Sequence, residues 1–256
     1  MKDRLISILA PALLLALLLT GWELACHLLS VKTAILPTPW RIAVASGENL
    51  PSLLSSAWRT LATALTALVL ASAIACGSAL VVGLIPLLER AVQPIVTTLQ
   101  VTPVIAIAPL FVIWAGLEHP QRAVVALAVI VAFFPIYSGA VAGLKAADPD
   151  LMRLFDVYGA SPLQKLLRLR LPSAVPHLLE GHKVGAGLAL VGAVVAEWVA
   201  GAGSAQGLAW RILVAEQRSQ TAKMFAALLV LALMGAGLYG LMQLAERVML
   251  RQWRGR

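Results

Sequence analysis

Long uncharged runs divide this chain. Residues 5–22, 60–88, 91–117, 123–144 and 224–245 contain no Asp, Glu, Lys or Arg, and 184–210 contains only Glu197. Each is long enough for a helix to cross a hydrocarbon core of about 30 Å, which takes roughly 17–25 residues. The runs are continuous rather than alternating between polar and apolar, so they predict helices and not the strands of a barrel. The fold class expected is an all-α polytopic membrane protein with about six transmembrane helices, centred on 5–29, 57–87, 91–117, 122–144, 178–199 and 224–244.

Composition agrees with that pattern: 60% of the 256 residues are hydrophobic, 12% are charged and the mean hydropathy is +0.88. A soluble domain has far more charge. The net charge of +8 does not point to nucleic acid, because the cations are spread among the loops rather than gathered on one soluble face. Their sidedness is informative. With the N-terminus inside, 13 Lys and Arg fall in inner segments and 7 in outer ones, which predicts cytoplasmic termini. Cys26 and Cys76 both sit in apolar runs and read as small packing residues, without metal spacing. Leu24-Ala25-Cys26 hints at a lipoprotein cleavage site, but Glu23 spoils the match, so an uncleaved first helix is expected.

Between the runs, Trp22 and Glu23 suit the headgroup level at the outer end of the first helix. Leu36-Pro37-Thr38-Pro39-Trp40 predicts extended backbone opening a surface loop to about Ser55, with a short amphipathic piece along it. The run 91–117 holds Pro94, Pro103 and Pro109. Such a helix leaves backbone groups to be satisfied by neighbours, so Pro103, Pro109 and Trp114 are candidate pathway residues, a kinked packing helix being the alternative. Gly139 and Gly143, four apart, permit close backbone approach within the subunit or across a dimer. Gly181, Gly185, Gly187 and Gly192 predict a buried helix. Glu197 is an ionisable group within a span, hence a candidate for a pathway or gate; the alternative places it near water beside Trp198. A flexible outer loop is expected at 201–207 and an interfacial segment at 208–218. The basic end, with Arg247, Arg251, Trp253, Arg254 and Arg256, suits anionic lipid headgroups.

No motif in the chain carries catalysis. A G-x-x-x-x-G-K-[ST] loop is absent. Gly235-Ala-Gly237-Leu-Tyr-Gly240 matches a dinucleotide pattern but lies in an apolar helix with no preceding strand. His177 and His182 are five apart, about 140° around a helix, and do not converge on a metal.

The interval 145–172, KAADPDLMRLFDVYGASPLQKLLRLRLP, is the longest charged stretch. Asp148 is placed to cap a helix with Pro149 at its first position, and Leu151, Leu154, Phe155 and Tyr158 share one face. Gly159 stops that helix. Ser161, Pro162 and Gln164 form a capping box for a second helix that Pro172 is expected to end. A preformed knob of two short helices follows, suited equally to headgroups or to a protein partner.

Gly159, nine residues, then Leu169-Arg170-Leu171-Pro172 resembles the EAA loop of the permease subunits of binding-protein-dependent ABC importers. The E-A-A positions of that pattern hold Arg153, Leu154 and Phe155 here, and its isoleucine position is Leu169. Leu36-Pro37-Thr38-Pro39, Pro103 to Trp114, Phe133-Phe134-Pro135-Ile136 and Gly187 to Glu197 resemble the nitrate, sulfonate and taurine branch, and also permeases for thiamine pyrimidine precursors and riboflavin. The resemblance implies a type I ABC importer permease-like fold in a bacterial inner membrane. It divides the chain into a first helix and outer loop (1–56), a permease core (57–250) with coupling loop 145–172, and a basic tail (251–256). It implies a second copy of the chain, two ATP-binding cassette subunits that hold ATP and Mg²⁺, an extracytoplasmic substrate-binding protein, surrounding lipid, and no nucleic acid. ATPase docking falls to Asp150, Arg153, Leu154, Phe155, Gly159, Ala160, Ser161, Leu169, Leu171 and Pro172. Alternating access would carry a small polar or anionic organic solute, or a pyrimidine or riboflavin-like heterocycle. An ion-coupled secondary transporter is the rival class.

Overall fold

The computed structural model describes residues 2–116, 119–200 and 206–254. The expected loop at 201–207 lies outside them except for its last two residues, as do the final two residues of the basic tail. Every regular element described is helical: α1 (Lys2–Leu28), α2 (Pro39–Glu48), α3 (Leu50–Leu84), α4 (Pro86–Gln100), α5 (Val104–Ala115), α6 (Pro120–Lys145), α7 (Pro149–Val157), α8 (Pro162–Lys165), a π-helical turn (Leu166–Arg170), α9 (Leu171–Ala200), α10 (Leu208–Gln217) and α11 (Thr221–Arg254). Five of these are long and apolar enough to span a membrane, and the count reaches six when the bent pair α4–α5 is taken as one broken span. The chain falls into two compact units, one of residues 1–57 with 206–232, the other of 58–205 with 233–256.

In the first unit α1 presents Leu13, Leu14, Leu17 and Leu18 outward, the surface expected of a helix bathed in hydrocarbon. The stretch expected to be a loop to Ser55 is mostly helical. Thr38 caps α2 through its hydroxyl, with Pro39 in the first turn. Glu23 of α1 accepts a hydrogen bond from the Trp40 amide at 3.1 Å, filling a second of the orphan amides every helix start leaves. Asn49 then separates α2 from α3 by one residue, and α3 starts seven residues before the expected 57.

The second unit is built on α6 against α9. A Cβ added at Gly139 would lie 2.7 Å from the His177 carbonyl oxygen, one at Gly143 2.8 Å from Ala174 Cα, and one at Gly192 2.9 Å from Ala128 Cα. These glycines are therefore required by backbone approach within the subunit. Gly187, by contrast, meets nothing within 4 Å and is exposed.

Two expected elements are corrected. The single span over 91–117 is two helices bent by 96°. The break falls at Val101–Pro103, where Pro103 is the N-cap of α5; a proline amide has no hydrogen to continue the ladder. Pro172, expected to end a short second helix, instead lies in the first turn of α9. In a regular helix its ring would meet the Arg168 carbonyl. The preceding π-helical turn, in which the Leu171 amide reaches the Leu166 carbonyl, shifts the ladder by one residue and lets the helix run on.

Gly139→Val places a branched side chain against backbone that cannot yield. It is expected to destabilise the protein by about 2–3 kcal/mol or to prevent folding, read as a lower melting temperature in detergent. Gly187→Ala, at an open helical site, is expected to be neutral or to stabilise by up to about 1 kcal/mol.

Candidate coupling loop and pathway residues

The chain leaves α6 at Lys145, whose ammonium pairs with Glu89. Asp148 accepts a hydrogen bond from the Asp150 amide at 2.8 Å, and Pro149 begins α7. The helix ends in a Schellman motif: the Ala160 amide reaches the Phe155 carbonyl at 2.9 Å and the Gly159 amide the Asp156 carbonyl at 3.0 Å. That closure needs a left-handed residue, and Gly159 has φ +66°. Ser161 and Gln164 then form the expected capping box, at 2.8 and 3.3 Å. Lys165 pairs with Asp156, tying the second helix back to the first.

Sequence order thus separates into two structural roles. Asp150, Arg153, Leu154, Phe155, Gly159, Ala160 and Ser161 lie on the projecting part, where no residue of α7 is buried. Val157 and Tyr158 are 84% and 80% exposed, and Leu151, Leu154, Leu163 and Leu167 are exposed as well. Among the described residues Arg153 reaches only its neighbour Asp150, at 3.2 Å, with both side chains in solvent. Leu169, Leu171 and Pro172 belong to the base instead. Leu166 and Leu169 are buried, and Leu171 packs on a cluster of Leu144, Leu166 and Ala174 with Leu80. Arg170 Nη1 donates to the Gly83 carbonyl at 2.9 Å, in the last turn of α3, where helix carbonyls lack partners.

The pathway candidates divide between exposed positions on α5 and a buried one on α9. Pro103 and Pro109 are exposed, and Trp114 is 68% exposed with its ring 5.4 Å from that of Phe111. The other side of α5 packs Ala108 against Val124, Leu127 and Ala196. Glu197 is on α9, 2% exposed, and so does not reach surrounding water as the alternative reading requires. Its carboxylate oxygens accept from Thr60 Oγ1 at 2.9 and 3.2 Å. Next to Thr60 on α3, buried Thr63 accepts from Gln121 Nε2 at 3.1 Å. Thr60, Thr63 and Gln121 are polar residues at a packed helix junction that sequence reasoning passed over; the signal was two threonines three apart, one helical turn, at the start of an apolar run. A second omission is Lys183, which pairs with Glu180 of its own helix and with Glu246 of α11 at 3.0 Å. Among the described residues no cluster of His, Cys, Asp and Glu could hold a metal.

Removing the Thr60 hydroxyl takes a donor from a buried carboxylate. Thr60→Val is expected to lower stability by about 1–3 kcal/mol, while Thr60→Ser, which keeps the donor, loses less than half as much. Thermal melts of the purified variants check the difference.

Residues 67–251 match the family model of the binding-protein-dependent transport system inner membrane component. The chain is 34% identical over 239 residues to a riboflavin transport system permease protein of Chloroflexus aurantiacus, covering 93% of this chain and 87% of that one. It is 30% identical over 254 residues to a permease of Bacillus subtilis provisionally assigned to aliphatic sulfonates transport, covering 97% and 87%. Among solved structures, an inward-facing MetNI methionine ABC transporter superposes with a TM-score of 0.62 at 19% identity, covering 80% of this chain and 97% of that one. An all-helical architecture with five to six candidate spans, the projecting loop on α6 and α9, and these likenesses place the chain in the family of binding-protein-dependent transport system inner membrane components, the multi-pass permease subunits of ABC importers.

Proposed function

We propose that this chain forms half of a homodimeric permease, oriented with both termini cytoplasmic, which moves a small polar or anionic organic solute by alternating access. ATP is hydrolysed on two separate cassette subunits, each gripping one copy of the 145–172 loop. Solute is delivered by an extracytoplasmic binding protein. The observation that carries this reading is the form of the loop: a doubly capped helix with an uncovered apolar face, standing on a buried base that is continuous with α9.

Rigid caps matter because a loop that transmits force must not dissipate it in local rearrangement. An apolar face with only self-paired charges offers a partner groove burial without a large desolvation penalty. Contact would fall on Asp150 to Ser161, with Leu169, Leu171 and Pro172 transmitting motion from beneath. Pro103, Pro109 and Trp114 face outward on α5, available to a second copy or to lipid; Glu197 with Thr60 serves as a packing clasp beside the pathway. The likeness to a riboflavin permease supports a second reading of the cargo, a heterocycle of the riboflavin or thiamine-precursor kind.

Leu154→Asp is expected to weaken association with the cognate cassette subunit at least tenfold, the scale of a lost interface anchor, while leaving the melting temperature within two or three degrees of wild type. Gly159→Val has open space for its side chain but strains the left-handed turn by about 1–2 kcal/mol; it is expected to depress transport-coupled ATP hydrolysis more than it depresses assembly. Co-purification and ATPase assays in proteoliposomes check both. Wild-type association by Leu154→Asp would overturn the docking assignment, and solute uptake independent of ATP would favour a secondary transporter.

A further inference from the structure

The first unit contains a cleft of about 320 Å³ between the start of α3, α10 and the start of α11, whose lining includes Ser56, Trp210, Arg211, Arg218, Gln220 and Lys223. That volume is within the range of small-molecule sites. Among the described residues three cations line it and no carboxylate does. Among the described residues none of the three lies within ion-pair distance of an acid. Cations that share one lining repel one another, and an anion between them relieves that repulsion.

The cleft is also built rather than incidental. Ser56 is 2% exposed, and its hydroxyl accepts a hydrogen bond from Arg211 Nε. With Nε so engaged, the guanidinium is fixed in plane and keeps its terminal donors for a planar or tetrahedral oxyanion. The opposite wall depends on a strained turn. The α10 helix closes with the Gln220 amide on the Ala215 carbonyl at 2.8 Å and the Ser219 amide on the Glu216 carbonyl at 2.9 Å, a Schellman closure with serine at φ +54° where glycine is usual. This turn brings Arg218 and Lys223, on either side of it, into one lining. Strained backbone of this sort concentrates at ligand clamps. Thr221 Oγ1, bonded to the Ala34 carbonyl at 2.8 Å, fixes the first residue of α11. Leu53, Val214 and the Trp210 indole supply an apolar flank.

We infer that this cleft is a binding site for a small organic oxyanion, a sulfonate, phosphate ester or carboxylate with a short apolar portion, the anion lying between Arg211, Arg218 and Lys223 and the apolar portion against Trp210. In the proposed orientation it opens at the extracytoplasmic end, where delivered solute and outer-leaflet headgroups present the same chemistry. The inference deepens the importer reading by giving the permease a cargo-selective site of its own, and it rests on that reading only for the source of the anion.

The full-length protein in phosphatidylcholine nanodiscs, without cassette subunits, is titrated calorimetrically with butanesulfonate, butyl phosphate and uncharged butanesulfonamide. Saturable binding of the two anions, at least tenfold tighter than of the sulfonamide, is expected. Lys223→Gln, at an exposed position, should weaken it at least fivefold, Arg211→Gln at least as much, and Lys32→Gln, outside the cleft, less than twofold. No saturable binding, equal binding of the sulfonamide, or wild-type affinity in Lys223→Gln would each overturn the site. In discs containing phosphatidylglycerol, competitive weakening identifies a lipid headgroup as the source and unchanged binding a soluble anion; both support the site. Because no ATPase is present, failure here leaves the permease reading intact, whereas loss of cassette co-purification bears on that reading alone.

Discussion

The approach of α6 to α9 is the contact on which the second unit depends. In hydrocarbon, apolar side chains gain nothing by leaving lipid for one another, so helices associate where small residues allow dense packing and close backbone approach. Gly139 faces the His177 carbonyl, Gly181 the Pro135 carbonyl, and Gly143 and Gly192 face alanines, in each case too near for an added Cβ. Along this seam the two helices have almost no freedom to slide. Other elements are fastened to its two ends: Ala108 of α5 sits with Val124, Leu127 and Ala196 at one, and Leu166 with Leu144 and Ala174 at the other. The projecting loop is bracketed by the same pair, leaving α6 at Lys145 and returning through α8 into α9. A push on α7 is therefore delivered to a stiff two-helix body.

Departures from regular helix gather where that body meets something else. The π-helical turn at Leu166–Arg170 lies at the base of the loop and absorbs Pro172. The 96° bend at Val101–Pro103 divides what would be one span. Carbonyls left unpaired at a helix end likewise need partners, and Arg170 serves that of Gly83 in the last turn of α3. The same requirement explains why Glu197 is held by Thr60: a carboxylate in a helix junction is tolerable only with donors aimed at it.

Spans, caps and the small-residue seam were legible because each has a local signature: run length, a capping box at Ser161–Gln164, glycines four apart. The double fastening of α2 by Thr38 and Glu23 was not, since Glu23 is seventeen positions from the amide it serves and nothing in sequence ties the two. Pro172 misled for a related reason. A proline is a reliable stop only when the preceding turn is α-helical, and a π-helical turn has no composition that marks it. Of the candidate coupling residues, membership in one loop was readable, but the division between an exposed face and a buried base depends on how α8 joins α9, which the proline concealed. Gly159 was readable as the stop of a capped helix, and its left-handed φ gives that stop its form.

Arg153 is the charged one of the positions at which this loop departs from the pattern it resembles, yet charge is a poor guide to what the loop can grip. Arg153 and Asp150 form a pair one helical turn apart, both in solvent, and such pairs are worth about 0–1 kcal/mol and give way readily to another partner. Asp156 is engaged by Lys165, so the acid nearest the tip is already neutralised. The face itself is apolar: Leu151, Leu154, Val157 and Tyr158 on α7 and its C-cap, with Leu163 on α8, are all exposed, and caps hold both helices. Burying such residues yields on the order of 25 cal/mol per Å² of apolar area, and a preordered face loses little entropy on docking. In the proposed docking the free energy would come from the leucines and Tyr158. Arginine in place of an acid would change which charges the groove can carry at its rim, altering partner choice and encounter rate more than the strength of the grip.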